Sequence, residues 1–300
     1  MNEWNCDLPP IFIDNLDENI SVNETTDALT LKYVDEMELL GTDGHWEDGN
    51  ISGMDVVGDR FLVAADYKKK CMRCFDMDSG KQQVEWHDSG FLPRDITTIP
   101  GNRVAVTSAQ EVWFLRVTEN GDLLLENKIN VKEDCYGIAS SGNNLIVGRD
   151  HEVHMLDMKG KVIKEFKKDG DGKSLFDWPT SVAVSSDHST IYITDKVNYT
   201  VTALTQDGCV LGVVDIEVLL PFESGITVDS AGRVYVCGFD NVFLVSIETG
   251  TVTPLLGITD GIRHPICVAV CDKTQCLYVS SLDSNVIQVF EMHNTLRRKI

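Results

Sequence analysis

The chain is built from six copies of one sequence unit, and this periodicity constrains its fold more than any other feature. Each unit opens on an apolar residue that begins a short strand-like run. These apolar anchors are Met54, Ile96, Ile138, Val182, Ile226 and Val268. Their spacings are 42, 42, 44, 44 and 42 residues, a regularity that indicates a repeat architecture.

Every unit contains the same series of short strands. A tight polar turn, such as residues 230–232, follows the first strand, and a second strand rich in Val, Ile and aromatic residues follows the turn, as in residues 234–236. A third apolar strand comes next. In five units a turn that ends in glycine, such as Asp207-Gly208, then leads to a fourth strand, because glycine adopts the positive φ that the hairpin requires.

The sixth unit ends near residue 293 without a fourth strand, whereas residues 29–40 form a strand pattern that belongs to no unit. One unpaired strand at each end is how a circular array closes. The sequence therefore predicts an all-β, six-bladed β-propeller over residues 29–293, with four-stranded antiparallel blades and the last blade closed by an N-terminal strand. A pair of β-sandwiches or a β-solenoid would not show this period. We expect an acidic mobile arm at residues 1–28 and a short basic tail at 294–300.

The net charge of the chain limits the classes of partner that we expect it to bind. It has 26 Lys and Arg against 47 Asp and Glu, a net charge of −21. Nucleic acids and anionic membranes are bound through clustered basic residues, so neither is an expected partner. A basic peptide or protein is favoured instead. With no apolar run of roughly 18 residues and no signal-peptide pattern at the start, we expect a cytoplasmic protein, and we expect a monomer.

Three anchors are preceded at the third position by a proline, at Pro93, Pro179 and Pro265, which gives Pro-x-x-[Ile/Val] before the first strand. With the tight turn, the aromatic second strand and the apolar third strand, units four and six resemble NHL-type repeats, and residues 29–293 resemble the C-terminal propeller of tripartite-motif (TRIM-NHL) proteins. The resemblance implies an adaptor, scaffold or substrate-recognition module. In that family ubiquitin-ligase activity resides in an N-terminal RING, which needs paired Cys and His ligands. Only Cys6 precedes residue 29, so we expect no ligase activity, RING, B-box or coiled coil in this chain.

NHL-type repeats usually carry an aspartate after the second strand. In this chain the corresponding column contains Asp66, Ser108, Asp150, Asp195, Gly238 and Ser281. We interpret the column as structural, with each carboxylate accepting hydrogen bonds from the backbone amides of its own loop.

A catalytic alternative comes from the calcium-dependent lactonases and esterases that the fold resembles, whose metal lies at the mouth of the central channel. Oxygen ligands would have to converge there from several blades, and the candidates are Asp55, Asp95 and Glu223. No carboxylate recurs at the same position of the repeat in all six units. Cys71 and Cys74 lack the second ligand pair of a zinc site. We therefore predict a protein that is not an enzyme and has no metal or cofactor, with the calcium-dependent hydrolase as the alternative.

If the protein has a binding function, we expect the binding surface at one end of the propeller. At this end the loop before each first strand and the turn between the second and third strands meet. We call this end the candidate rim. Aromatic residues and arginine dominate protein-binding hot spots. The candidate binding residues there are Trp46, Tyr67, Arg94, Tyr136, Trp178, Tyr199, Phe239 and His264.

Overall fold

The computed structural model describes residues 28–41, 44–45, 48–216 and 224–295. Within these ranges the chain forms 24 strands in six four-stranded antiparallel sheets, each of which is one blade of a propeller. We number the blades I to VI along the chain. Every predicted anchor lies in the first strand of its blade, and the predicted six-bladed all-β fold is confirmed.

Within blades I to V the four strands are hydrogen-bonded in chain order. Blades I and II consist of β2 (Ile51–Val57), β3 (Phe61–Asp66), β4 (Cys71–Asp76), β5 (Lys81–His87), β6 (Pro93–Ile99), β7 (Arg103–Ser108), β8 (Glu111–Val117) and β9 (Leu123–Asn130). Blades III and IV consist of β10 (Ile138–Ser141), β11 (Asn144–Gly148), β12 (Val153–Asp157), β13 (Val162–Phe166), β14 (Pro179–Val184), β15 (Thr190–Asp195), β16 (Thr200–Thr205) and β17 (Val210–Asp215). Blades V and VI consist of β18 (Ile226–Val228), β19 (Val234–Cys237), β20 (Val242–Ser246), β21 (Thr251–Leu256), β22 (Pro265–Cys271), β23 (Cys276–Ser281), β24 (Val286–Thr295) and β1 (Ala28–Glu38).

Blade VI is closed by the N-terminal strand. β1 pairs antiparallel with β24, from Ala28 opposite Thr295 to Glu38 opposite Val286. The predicted closure is therefore present. Of the predicted arm and tail, residues 1–27 and 296–300 lie outside the described residues.

Glycine turns account for the hairpins between the third and fourth strands. Gly160 and Gly208 have φ values of 82° and 80°, which place them in the left-handed region that other residues rarely adopt. The glycine that ends these turns in the sequence is therefore a conformational requirement of the hairpin.

The hydrophobic core is divided among the interfaces between adjacent blades. Between blades I and II, for example, Val63, Met72 and Trp113 are almost completely buried in one cluster. Five comparable clusters fill the other interfaces among the described residues. Because the inner strands of each blade are covered on both faces, they appear in the sequence as continuous apolar runs.

Blades I, III and V lie very close to the blades that follow them. A Cβ at Gly137 would lie 2.6 Å from the Cα of Ser181, and a Cβ at Gly225 would lie 2.8 Å from the Cα of Cys267. Gly53 has the same relation to Asp95. At these three positions the backbone of one blade therefore packs directly on the backbone of the next.

Blades II, IV and VI are joined to the blades that follow them by hydroxyl groups. Thr107 donates a hydrogen bond to the carbonyl of Tyr136 at 2.5 Å, and Thr194 donates to the carbonyl of Ser224 at 3.0 Å. Ser280 donates to the carbonyl of Ile51 at 2.9 Å. Close backbone packing at a glycine and a hydroxyl bond from the second strand thus alternate around the ring.

A charged network is buried in blade I between the second, third and fourth strands. Arg73 is fully buried, and its Nε donates to Asp66 Oδ2 at 3.1 Å. Its Nη1 donates to Glu85 Oε2 at 3.1 Å and to the carbonyl of Leu40 at 2.6 Å. The network holds three strands of the blade and the segment after β1 in one place.

Blade III contains a related network around a buried histidine. Arg149 Nη1 lies 3.0 Å from His154 Nδ1, and His154 Nε2 lies 2.6 Å from Glu152 Oε1. Since arginine can only donate, Nδ1 is the acceptor and the imidazole is neutral with its proton on Nε2. Burial lowers the pKa of His154, Glu152 opposes that shift, and Arg149 adds to it.

We expect His154 to make the protein less stable in weak acid. Between the usual histidine pKa of about 6.5 and the lowered folded value, the unfolded chain binds a proton that the folded protein does not, so stability falls as pH falls. The melting temperature of the wild type should drop between about pH 7.5 and 5.5 by more than that of His154→Gln. His188→Asn, at an exposed turn, is the control. Equal pH dependence in the wild type and His154→Gln would contradict a neutral buried imidazole.

Among the described residues, no helix is long and apolar enough to cross a membrane.

Candidate functional site

Four side chains of the candidate rim form one continuous row across blades II, III and IV. Arg94 Cζ lies 4.5 Å from the ring centroid of Tyr136, and the rings of Tyr136 and Trp178 are 5.7 Å apart. Lys196 Nζ lies 3.9 Å from the centroid of Trp178. We call this row (Arg94, Tyr136, Trp178 and Lys196) the aromatic stack. Each cation over a ring face contributes an electrostatic attraction of about 0.5–1 kcal/mol at a partly exposed site.

The backbone around the aromatic stack is fixed by buried side chains. Tyr136 precedes β10, and its carbonyl accepts the hydrogen bond from Thr107. Trp178 precedes β14, and its amide donates to Asp195 Oδ2 at 3.1 Å. Both rings are therefore carried by segments that are anchored in the propeller.

Carboxylates surround the aromatic stack. The Tyr136 hydroxyl donates to Asp150 Oδ1 at 2.8 Å, and Arg94 Nη2 lies 3.8 Å from Asp134 Oδ2. Asp177 is exposed directly before Trp178. Burial raises the pKa of Tyr136, with the hydrogen bond to Asp150 acting in the same direction, so the phenol stays protonated as a donor. Arg94 and Trp178 each keep one N–H, Nε and Nε1, without an acceptor among the described residues.

A second, smaller pair lies further around the candidate rim. The rings of Phe239 and His264 are 5.0 Å apart and nearly perpendicular. His264 Nδ1 lies 3.0 Å from the carbonyl of Phe239 and 3.4 Å from Asp240 Oδ1. Phe239 is 49% exposed, so its ring is available at the surface.

The other predicted residues that the structure describes, Tyr67 and Tyr199, join neither the aromatic stack nor the Phe239–His264 pair. Tyr67 and Tyr199 are exposed, each on the turn between the second and third strands of its blade. Trp46 lies outside the described residues. Next to Tyr67, Lys68 Nζ pairs with Asp283 Oδ1 at 2.7 Å, so the first lysine of the basic triplet 68–70 is held by a carboxylate.

Lys196 was missing from the residues predicted for the candidate rim. It lies on the same turn as Tyr199, directly after Asp195. A list restricted to aromatic, arginine and histidine residues excludes it. Its proximity to Trp178 depends on how the loop before β14 lies against the turn after β15, which a linear pattern does not contain.

The aspartate column is structural where aspartate is present and buried. Asp195 accepts hydrogen bonds from the backbone amides of four residues, and Asp66 accepts from those of Asn50 and Lys69. The placement of Asp150 in this column was wrong by one residue. Since Ile138 pairs with Val147 as Val182 pairs with Ile193, the position in blade III belongs to Arg149.

The central channel contains a cavity of about 200 Å³ lined by the first strands of all six blades. Its two predicted carboxylates bind backbone amides. Asp55 Oδ2 accepts from Thr98 at 2.6 Å, and Asp95 Oδ2 accepts from Ile138 at 2.9 Å. Burial raises the pKa of Asp55, and the amide bonds from Thr98 and Val56 oppose the shift. Both side chains tie one blade to the next, and Glu223, the third candidate, lies outside the described residues.

Comparisons with known proteins support the fold. No family model matches the chain, and no curated protein matches it. A Bacteroides thetaiotaomicron protein of unknown function is similar with a TM-score of 0.67 and 15% identity, covering 89% of this chain and 76% of that one. Virginiamycin B lyase from Staphylococcus aureus gives 0.58 and 15%, covering 90% of both chains. A streptogramin B lyase structure gives 0.60 and 11%, covering 88% of this chain and 98% of that one. At these identities the likeness shows a shared propeller fold.

Proposed function

We propose that the protein is a non-catalytic module that binds a protein or peptide on the candidate rim. The observation that carries this proposal is the aromatic stack. Two large rings and two cations form a continuous surface over three blades, outside the interfaces where the apolar core lies. Tyrosine, tryptophan and arginine are the residues that most often supply binding energy at such surfaces.

The charges around the aromatic stack favour a basic partner. The carboxylates of Asp134, Asp150 and Asp177 surround it, and the whole chain has a net charge of −21. A peptide that places an apolar side chain against the rings and a lysine or arginine next to these carboxylates would complement both features. The negative charge would repel nucleic acid. Lys68, the first lysine of the basic triplet 68–70 on the candidate rim, is already paired with Asp283.

The finer proposal is an adaptor or substrate-recognition role like that of TRIM-NHL propellers. Pro93, Pro179 and Pro265 each begin the first strand of a blade and pair with the last residue of the second strand. A register shift follows each proline before the anchor. Blade I has the same geometry at Ile51, which pairs with Asp66, so the pairing shows a common repeat, and the proposed grouping with NHL-type repeats rests on the sequence motif. We also propose that the protein acts as a cytoplasmic monomer.

The contacts in the channel support a non-catalytic function over the calcium-dependent hydrolase. Asp55 and Asp95 each accept two backbone amides: Oδ2 accepts one from the following blade, and Oδ1 accepts one from the next residue of the same strand. The two lyases named above share the fold at 11 and 15% identity, which carries no catalytic residue over to this chain.

We expect Tyr136→Ala and Trp178→Ala to weaken peptide binding by roughly 30-fold each, which corresponds to about 2 kcal/mol at a hot spot. Peptides selected from a displayed random library on the full chain would serve as probes, with dissociation constants from fluorescence anisotropy. Tyr33→Ala removes a more exposed ring from the outer strand of blade VI and should leave affinity unchanged.

Three results would contradict this proposal. The first is that no peptide is enriched on the full chain. The second is that the selected peptides bind Tyr136→Ala, Trp178→Ala and the wild type equally. The third is saturable binding of a single-stranded RNA near physiological salt that is lost on mutating residues 68–70.

A further inference from the structure

A set of three metal-ligating side chains lies on blade I, apart from the aromatic stack. The Sγ of Cys71, a carboxylate oxygen of Glu85 and an imidazole nitrogen of His87 all lie within 4.8 Å of one another. We propose that these three residues bind a divalent cation of the zinc class. The proposal departs from the expectation that the chain carries no metal site.

The strand register explains how the three donors meet. Cys71 on β4 lies directly opposite His87 on β5, and Glu85 lies two residues before His87 on the same strand. Side chains two residues apart lie on the same face of a sheet, so all three project from one face. Cys74 lies three residues after Cys71 and projects from the opposite face, into the cluster between blades I and II. The cysteine pair visible in the sequence is therefore divided, and the partners of Cys71 come from the next strand.

The chemical types of the three ligand groups determine which class of cation we expect the site to bind. A thiolate, an imidazole and a carboxylate suit zinc and similar borderline metals, whereas calcium and magnesium prefer sets made only of oxygen atoms. Three protein ligands leave the fourth tetrahedral position for water or an external ligand. Cys71 is buried, the side chain of Glu85 is 7% exposed, and that of His87 is 47% exposed. One side of the site is thus open to a cation from solvent.

The buried network beside the site orients one of its ligands. Glu85 Oε2 accepts from Arg73 Nη1, while Glu85 Oε1 lies 2.5 Å from His87 Nε2. A cation between Glu85 and His87 would replace that second contact and leave the first in place. Asp66 offsets the charge of Arg73, and a dication with one thiolate and one carboxylate is neutral overall. With the cation bound, the charges of the site, Arg73 and Asp66 therefore sum to zero in this partly buried region.

The repeat supplies an internal comparison. By strand register, Glu152, Glu165 and Lys167 of blade III occupy the positions of Cys71, Glu85 and His87. There the Lys167 ammonium lies 2.6 Å from Glu152 and 3.1 Å from Glu165. In blade III the ammonium group of Lys167 thus lies beside both carboxylates, at the place where blade I would hold a metal ion. Blade I has an imidazole at the lysine position and a thiol at the position of Glu152, which changes the set from a salt bridge into metal ligands.

The test is a titration of the full chain with Co²⁺, in the presence of a reductant that does not bind metal. We expect one equivalent to bind with a thiolate-to-cobalt charge-transfer band and the intense visible bands of tetrahedral cobalt. Zn²⁺ should displace the cobalt, whereas excess Ca²⁺ or Mg²⁺ should not. His87→Gln and Cys71→Ser should each weaken binding by at least about tenfold, because even a change in a residue that supports a ligand has an effect of this size.

Matched controls make the result specific. Cys276→Ser removes a half-buried thiol on β23, and His264→Gln removes an exposed imidazole on the candidate rim; both should bind cobalt like the wild type. His87 is exposed, so His87→Gln should fold even if Cys71→Ser does not. The proposal is overturned if no saturable binding occurs, if the bound cobalt shows no thiolate band, or if His87→Gln binds like the wild type.

Discussion

Deletion of residues 1–40 should abolish the folded monomer. The deleted part includes β1, which is the fourth strand of blade VI and pairs with β24 along its whole length. Without it, β24 presents an unpaired edge, and exposed edges associate with other chains. Met37 and Leu39 would also leave the cluster between blades VI and I, where both are almost completely buried.

The measurement is size-exclusion chromatography combined with a thermal melt followed by circular dichroism. We expect the 41–300 protein to be aggregated or to lack a cooperative transition. Deletion of residues 1–24, which stops short of β1, should leave the elution volume and the melting temperature close to those of the full chain. A monomeric 41–300 protein with a full-length melting temperature would show that β1 does not close the ring.

Arg73→Met should destabilise the protein by about 3–5 kcal/mol, the range found when one partner of a buried ion pair is removed. Arg73 is fully buried, and its two carboxylate partners, Asp66 and Glu85, are almost as inaccessible. Methionine fills a similar volume but leaves both carboxylates without their cation. The loss follows from the uncompensated charges more than from the lost attraction.

Arg60→Met is the matched control. Arg60 pairs with Asp76 at the same distance of 3.1 Å, but its side chain is 52% exposed, so the loss should stay below about 1 kcal/mol. Free energies of unfolding from urea titrations would compare the two variants. Equal losses in both would show that burial does not determine the strength of the Arg73 network.

The fold could be predicted from the sequence because its determinants are local and recur. The anchor, the polar turn and the glycine before the fourth strand lie within one unit, and six copies reinforce one another. Closure was also predictable, since a missing last strand and an additional first strand are visible in the chain. The misplacement of Asp150 in the aspartate column shows where prediction from the sequence fails. A one-residue difference in loop length shifts the alignment, and only strand pairing reveals that Arg149 takes the position.

The candidate site was predictable only in part. Arg94, Tyr136 and Trp178 were identified because the fold places their loops at one end, yet their contact with each other depends on the spacing between blades. Lys196 was missed because its place in the aromatic stack depends on its contact with the ring of Trp178, which the sequence does not show. The set of Cys71, Glu85 and His87 depends on the register of two strands, which the spacing of the cysteines does not contain.

The alternation of blade interfaces sets the smallest module from which this ring could be rebuilt. Gly53, Gly137 and Gly225 make the close contacts that follow blades I, III and V, while hydroxyl bonds follow blades II, IV and VI. A symmetric design from six identical single blades would make six identical interfaces and could not reproduce this alternation. Three copies of a two-blade module would carry the two devices in their observed order. With respect to these two contacts, the six-bladed ring has the symmetry of a trimer of blade pairs.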